Sequence, residues 1–351
     1  MAVSQAVSRR TDVATTRAVV LARRPEGRLL AEDLRIESRS VPDLEPGQAL
    51  VRNELMSLDP STRGRMDAGD KVYTTNFSIG QALDGWAIGQ VVESRSAALP
   101  VGSTVRHRLG WRELAVLDAG SARVVDLDLA PAASWLSALG QTGFTGYVGL
   151  TRIGELAVGD TVFVSAAAGG VGSISGQLAR LLGAGRVIGS AGGIQKCRWL
   201  IEDVGFDAAI DYRSQDLSAR LAELAADGLD LYFDNVGGDH LVAALHHLRI
   251  GGRVTLCGMV STMQASPNTA AISELIEAVL RRVTLRGFIV RDHEDLRPEF
   301  ETKVANWLES GQLRDHCTEV TGLESAPAAM VGLLEGGNVG KALVRLGRAP
   351  S

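Results

Sequence analysis

Cysteine is scarce in this chain: Cys197, Cys257 and Cys317 are the only three in 351 residues. They lie too far apart for a CxxC pair, and no Cys/His cluster has zinc spacing, so neither a disulfide framework nor a structural zinc is expected. An odd number of thiols fits a reducing compartment, and a cytoplasmic location is expected. An excess of positive charge is also lacking. The net charge of -5 gives no electrostatic reason to expect nucleic acid as a partner. Apolar runs are short and broken by glycine or charge, which argues against a membrane span. Met1–Thr16 is polar, and no apolar core follows Arg9-Arg10, so a loose N-terminal extension is expected over 1–16 rather than a secretory signal. Internal repeats and low-complexity tracts are absent too.

What the chain does have is glycine, 40 residues of it, with 45 % hydrophobic and 22 % charged residues. That composition belongs to a globular, turn-rich protein, and the length suits two domains. The most informative stretch is Thr161–Gly185. Thr161-Val162-Phe163-Val164 reads as a buried strand, Ala166–Gly172 as a tight turn of small residues, and Ile174, Leu178, Leu181 and Leu182 mark one face of a helix. Strand, turn and helix N-terminus together form the phosphate corner of a dinucleotide site, because small residues let backbone amides approach a pyrophosphate and the helix dipole favours its charge. The pattern here is Ala167-x-Gly169-x-x-Gly172, with alanine in place of the first glycine of the fingerprint.

Before this stretch the chain is β-rich and irregular, with strands expected over 16–30, 34–58, 87–92, 102–105 and 113–117, which suggests a partly closed barrel. An apolar helical stretch follows at Ala132–Leu139. From Thr161 onward strands (161–165, 186–190, 208–211, 229–234, 253–256, 284–290) alternate with helices (172–182, 195–204, 217–226, 240–248, 270–281), which predicts a parallel doubly wound sheet. The helices near 298–310 and 326–334 and a strand at 341–346 break the alternation and are expected to return to the first domain.

The choice of dinucleotide rests on a missing carboxylate. An NAD site carries an Asp or Glu about 20 residues beyond the glycine turn. Here that region reads Ile188-Gly189-Ser190-Ala191-Gly192-Gly193. Without an acid nothing repels a 2′-phosphate, and Lys196 and Tyr212 offer charge-assisted hydrogen bonds to one. NADP(H) is therefore expected.

Several segments then stand out together: Ser57-Leu58-Asp59-Pro60-x-x-Arg63-Gly64-Arg65-Met66, Gly192-Gly193-x-x-Lys196-Cys197, Gly205–Tyr212, Tyr232–Gly238, Gly287–Val290 and Gly340-Lys341. The chain resembles the zinc-independent medium-chain dehydrogenase/reductases, in the branch of prostaglandin/leukotriene, alkenal double-bond and curcumin reductases, from about Val19 to its end. The resemblance implies an α/β fold in which a Rossmann doubly wound parallel sheet (140–297) is inserted in a GroES-like, partly open β-barrel domain (17–139 and 298–351), and a homodimer. It also implies site residues. Ala168, Gly169, Gly170, Val171 and Gly172 would meet the pyrophosphate, and Gly192, Lys196 and Tyr212 the 2′-phosphate. Asn235, Cys257, Gly258, Met259 and Ser261 would line the cofactor groove, Phe288, Ile289 and Val290 would flank the nicotinamide, and Asn338 would close over the cofactor. Asn53, Thr142 and Thr145 match positions near the nicotinamide end.

The activity this implies is NADPH-dependent reduction of the activated C=C bond of an α,β-unsaturated ketone or aldehyde. The electrons moved onto the carbonyl oxygen need a hydrogen-bond donor, and the α-carbon then takes a proton. No Cys precedes Cys197 and no Gly-His-Glu motif occurs, so metal ligands of the zinc-dependent relatives are not expected. Departures from the branch concern the substrate. Where relatives carry a Tyr after the fifth Rossmann strand, this chain has Met263, which lacks a hydroxyl. Met56, Ser61, Leu83 and Trp86 replace usual pocket residues and predict a differently shaped, donor-poor pocket. Tyr73 is the candidate donor, with the cofactor ribose and solvent as alternatives. Arg63 and Arg65 read first as loop-anchoring salt bridges, with attraction of an acidic substrate group as the alternative. His107 and His293 show no partner in the sequence. A quinone or carbonyl reductase of the same fold, and an NADPH-binding protein without turnover, stay open as other readings.

Overall fold

A computed structural model describes residues 15–69, 74–258 and 275–347. In the first half β1 (Thr15–Leu21) and β2 (Leu34–Ser40) pair as a separate antiparallel ribbon, and β3 (Gln48–Ser57), β4 (Ala87–Ser94), β5 (Thr104–His107), β6 (Leu114–Asp118) and β7 (Ala122–Val124) build an antiparallel sheet. Strands β8 (Thr161–Val164), β9 (Arg186–Ala191), β10 (Ala208–Asp211), β11 (Leu229–Asp234), β12 (Leu248–Leu256) and β13 (Thr284–Gly287) follow, and β14 (Cys317–Thr321) and β15 (Lys341–Arg345) close the chain.

Strands β8 to β13 form one parallel sheet in the order β10-β9-β8-β11-β12-β13. The order reverses between β8 and β11, which is where a doubly wound sheet opens a crevice at the carboxyl ends of its strands. Helices at Gly170–Leu181, Ile194–Trp199, Leu217–Leu224 and Gly238–His247 provide the crossovers. The apolar runs seen in the sequence become a fully buried sheet, with Val162, Phe163, Val164, Leu231, Tyr232 and Phe233 all inaccessible. A second sheet runs β14-β15-β3-β4-β5-β7, with β6 on β3. Its β15 pairs antiparallel with β3, so the C-terminal segment does return to the first sheet.

The apolar stretch at 132–139 is not a helix. Its amides bond three residues back, as in Ser134 N to Pro131 O and Leu136 N to Ala133 O, and it stays a string of turns before the helix Gln141–Val148. Gly143 explains the bend: a Cβ there would sit 1.9 Å from the Ala138 carbonyl oxygen. Trp135, Leu136 and Leu139 are buried all the same, so the apolar pattern reported core and not helix. Further along, the helix from Ile194 widens into a π-turn at Leu200–Val204. The start of the expected helix at 270–281 lies outside the described residues, and Leu275–Leu280 is helical.

The helix Gly170–Leu181 packs tightly at Gly176, where an added Cβ would lie 2.0 Å from the ring of Phe206, in the loop before β10. Gly176→Ala should therefore destabilise the fold by about 1–3 kcal/mol through overpacking. Calorimetric unfolding of Gly176→Ala, Phe206→Leu and the double variant checks this: the double variant is expected to lose less than the sum of the singles, because the smaller side chain vacates the space.

Candidate active site

The glycine turn joins β8 to the helix at Gly170–Leu181. Ala166 sits at φ 47°, in the left-handed region, and its carbonyl accepts from Gly169 N at 2.9 Å. Such strain in a non-glycine residue persists only where the surroundings over-determine it. Here Ala167 N is held by Ser190 O at 2.8 Å, and Gly340 N bonds Ala168 O at 2.8 Å. A Cβ on Gly172 would lie 2.4 Å from Ala166 O, so this position accepts glycine alone. The turn thereby presents the amide end of a twelve-residue helix to the crevice.

Around it opens a cleft of about 1540 Å³ between the two sheets. A volume above the usual 300–1,000 Å³ of a ligand pocket suits a dinucleotide together with a second molecule. Of the expected cofactor residues, Thr142, Thr145, Ala168, Gly169, Gly170, Val171, Gly172, Gly192, Lys196, Tyr212, Asn235, Cys257, Gly258, Phe288, Ile289, Val290 and Asn338 all line this one space.

At one end Lys196, Tyr212 and Arg213 gather around Gly192. A Cβ there would meet Arg213 Nε at 2.8 Å and the Tyr212 hydroxyl at 2.9 Å. Lys196 Nζ donates to the carbonyls of Gly336 and Asn338, both at 2.6 Å, and Arg213 reaches Glu335 O at 3.4 Å. Burial, and then the Arg213 charge, push the Lys196 ammonium below its usual pKa. The nearby carboxylate of Asp211 is already spent: it accepts from Gly193 N, Arg213 N and the Ser214 hydroxyl. Two cations thus face one another over a glycine, and among the described residues neutral carbonyls are the hydrogen-bond partners of their side chains. This corner fits a phosphate dianion. Arg213 is the member that sequence reasoning passed over, although it directly follows Tyr212.

Asn235 is set by a buried network at the end of β11. Asp234 accepts from the Tyr232 hydroxyl at 2.7 Å, Val236 N at 2.9 Å and Gly237 N at 2.8 Å, while Asn235 Nδ2 donates to Ser165 O at 2.8 Å. Burial raises the Asp234 carboxyl, and these donors pull the other way. Burial also pushes the Cys257 thiol up to about 12, so this sulfur is not a nucleophile at neutral pH.

At the opposite end the wall comes from the first sheet. Ser61 and Trp86 line the cleft there. Lys341, on β15, is buried and bonds Leu58 O at 3.1 Å and the Asp59 carboxylate; Asp59 also accepts from the Ser57 hydroxyl at 2.6 Å. Burial raises the Asp59 carboxyl, but Lys341, Ser57 and Arg108 together hold it below its ordinary value.

Three expected site residues belong elsewhere. Asn53 is buried away from the cleft: its Nδ2 donates to Leu109 O (2.9 Å) and Arg112 O (2.8 Å), and its Oδ1 faces His107 Nε2 at 2.9 Å. His107, which showed no partner in the sequence, thus has one, and burial lowers its pKa to about 3, with Arg112 adding to the effect. Met56 and Leu83 are wholly buried in the core of the first sheet, with Met56 Sδ 3.1 Å from Trp111 N. Arg63 donates to Gly27 O at 2.6 Å and to Asp67, and Arg65 forks onto Asp84, so both anchor loops. Tyr73, Met259, Ser261 and Met263 lie outside the described residues. Among the described residues no three His, Cys, Asp or Glu side chains converge as metal ligands.

A doubly wound sheet, a glycine turn at its crevice and a cationic phosphate corner define a dinucleotide-binding fold. Comparison with known proteins narrows the class. Residues 17–125 match a family described as the N-terminal domain of oxidoreductase, and residues 170–310 one described as zinc-binding dehydrogenase. The chain is 36 % identical to the NADPH-dependent curcumin reductase of Escherichia coli over 93 % of its length and 96 % of the relative's. It is 36 % identical to the NADP(+)-dependent 2-alkenal reductase of Nicotiana tabacum, over 85 % and 87 %. The crystal structure of CurA in complex with NADPH from Vibrio vulnificus superposes with a TM-score of 0.89 at 36 % identity, covering 95 % of this chain and all of the other. The chain belongs to the medium-chain dehydrogenase/reductase family, in the branch of the curcumin, alkenal and prostaglandin reductases. It is an NADP-dependent oxidoreductase.

Proposed function

We propose that this protein reduces the activated C=C bond of a conjugated ketone or aldehyde, with the end of the cleft at Ser61 and Trp86 receiving the substrate. The observation that carries the reading is a single cleft joining the phosphate corner to a largely apolar wall of Leu58, Pro60, Trp86, Phe288, Ile289 and Val290. The names of relatives at 36 % identity, a curcumin reductase and an alkenal reductase, support it. NADPH, when bound, supplies the hydride.

The chain's own part is placement. Amides at Gly169–Gly172 and the helix dipole hold the pyrophosphate, and Lys196, Arg213 and Tyr212 hold the 2′-phosphate. Asn235, fixed through Ser165 and Asp234, and Asn338, whose Nδ2 bonds Gly340 O at 2.7 Å, bound the groove. Phe288, Ile289 and Val290 keep water from the reacting face, where charge moving onto the carbonyl oxygen is stabilised more strongly than in bulk solvent.

The test is NADPH consumption with a panel of enones, alkenals and quinones, with products identified by mass and NMR. Saturation of the C=C bond with the carbonyl retained is the expected result. A reduced carbonyl or quinone with the alkene intact would replace the reading by a carbonyl or quinone reductase, and tight NADPH binding with no acceptor reduced would leave a binding protein.

A further inference from the structure

Three ion-pairing positions meet at the substrate end of the cleft, and their charges do not cancel. Lys341 is neutralised by Asp59. Arg65 is neutralised by Asp84, whose two oxygens it holds in a fork, one at 2.7 Å. Arg108, just past β5, is the third. Among the described residues its nearest carboxylate is that same Asp84, at 3.9 Å and with no hydrogen bond between them. The Arg108 side chain is 57 % exposed to the cleft, and its guanidinium lies over the Trp86 ring, 5.2 Å from the centroid. Arg106 approaches the same ring at 5.1 Å, so Trp86 is held beneath two cations and gives Arg108 a fixed platform. Among the described residues, the Arg108 guanidinium donates no hydrogen bond. An apolar channel therefore ends on a planar fork of unspent N–H donors.

From this we infer that Arg108 is a specificity residue, and that the preferred substrates carry a carboxylate in addition to the conjugated carbonyl. This rests on the reading of the cleft as an ene-reductase site. A guanidinium suits a carboxylate because its parallel donors match the two oxygens, and stacking on Trp86 fixes the fork before the ligand arrives. The attraction for an acidic group that the sequence suggested for Arg63 and Arg65 is thus assigned to Arg108, since Arg63 is buried outside the cleft lining and Arg65 is held by Asp84. Arg108 is assigned to binding a group remote from the reacting carbons, so its contribution is expected in KM.

The experiment compares 4-(3-oxobut-1-enyl)benzoate with its methyl ester, which share one enone and differ in the charge of a remote group, using the full chain and NADPH. The wild-type protein is expected to favour the acid in kcat/KM by roughly tenfold, the scale of one charge-assisted hydrogen bond. Arg108→Gln should bring the acid-to-ester ratio close to one through the KM of the acid, and Arg108→Lys should leave an intermediate ratio. A wild-type ratio near one, or a ratio that Arg108→Gln leaves unchanged, overturns the inference. Calorimetric binding of the saturated acid, 4-(3-oxobutyl)benzoate, and of its amide to the NADP-loaded protein separates this proposal from the one beneath it. If neither enone is reduced but the acid still binds in an Arg108-dependent way, the ene-reductase reading fails and the carboxylate site stands. If the acid binds no better than the amide, the carboxylate site fails whatever the turnover.

Discussion

Gly172→Ala should weaken NADPH binding by at least about 100-fold, close to 3 kcal/mol. The added methyl would sit 2.4 Å from Ala166 O and 2.7 Å from Ala167 Cα. Both neighbours are backbone and cannot swing aside as a side-chain end would. Ala166 already occupies the left-handed region at φ 47°, and Ala167 and Ala168 are bonded to Ser190 and Gly340, so the turn has little room to relax. The helix start must shift, and the amides at Gly169–Gly172 lose their common aim. Fluorescence titration with NADPH measures the loss, with circular dichroism to establish that the sheet is retained. An unchanged Kd in a folded variant would show that the pyrophosphate does not meet this turn.

The second large effect is on cofactor choice. Lys196→Ala is expected to raise the KM for NADPH by about 10- to 100-fold, the range of one hydrogen bond to a charged group, and that for NADH by less than threefold. Lys196 is pushed below its ordinary pKa by burial and by Arg213, and its ammonium rests on two neutral carbonyls. A 2′-phosphate removes both penalties at once, whereas a ribose hydroxyl removes neither. Arg213→Ala should act in the same direction, and the double variant should cost less than the sum, because the two cations repel each other when no phosphate is present. Equal effects on the two cofactors would place the 2′-phosphate elsewhere.

Three residues sit away from where the sequence placed them. Asn53 is expected near the nicotinamide from the family resemblance, Met56 in the pocket from its place beside the Leu58-Asp59-Pro60 segment, and Leu83 from its place in the Gly80–Trp86 stretch. The β3–β4 pairing shifts register between Leu50 and Val51 and again between Asn53 and Leu55, so simple alternation does not say which way the Asn53 and Met56 side chains point. Asn53 is then claimed by His107, 54 residues away, a partnership that no local pattern contains. By contrast, the glycine turn, the parallel strands and the carboxylate-free end of β9 were legible, because each is set within a few residues by chain geometry.

The sequence by itself thus determined the parallel sheet, the dinucleotide corner and its preference for NADP. These follow from hydrophobic period, turn chemistry and the presence or absence of one charge. Only the tertiary structure decided what stands opposite that corner. The Gly336 and Asn338 carbonyls reach Lys196 because β15 closes onto β3, and Arg108 remains unspent because Asp84 is already held by Arg65. Which charges are left over depends on pairings across the whole chain, and a linear pattern does not encode them.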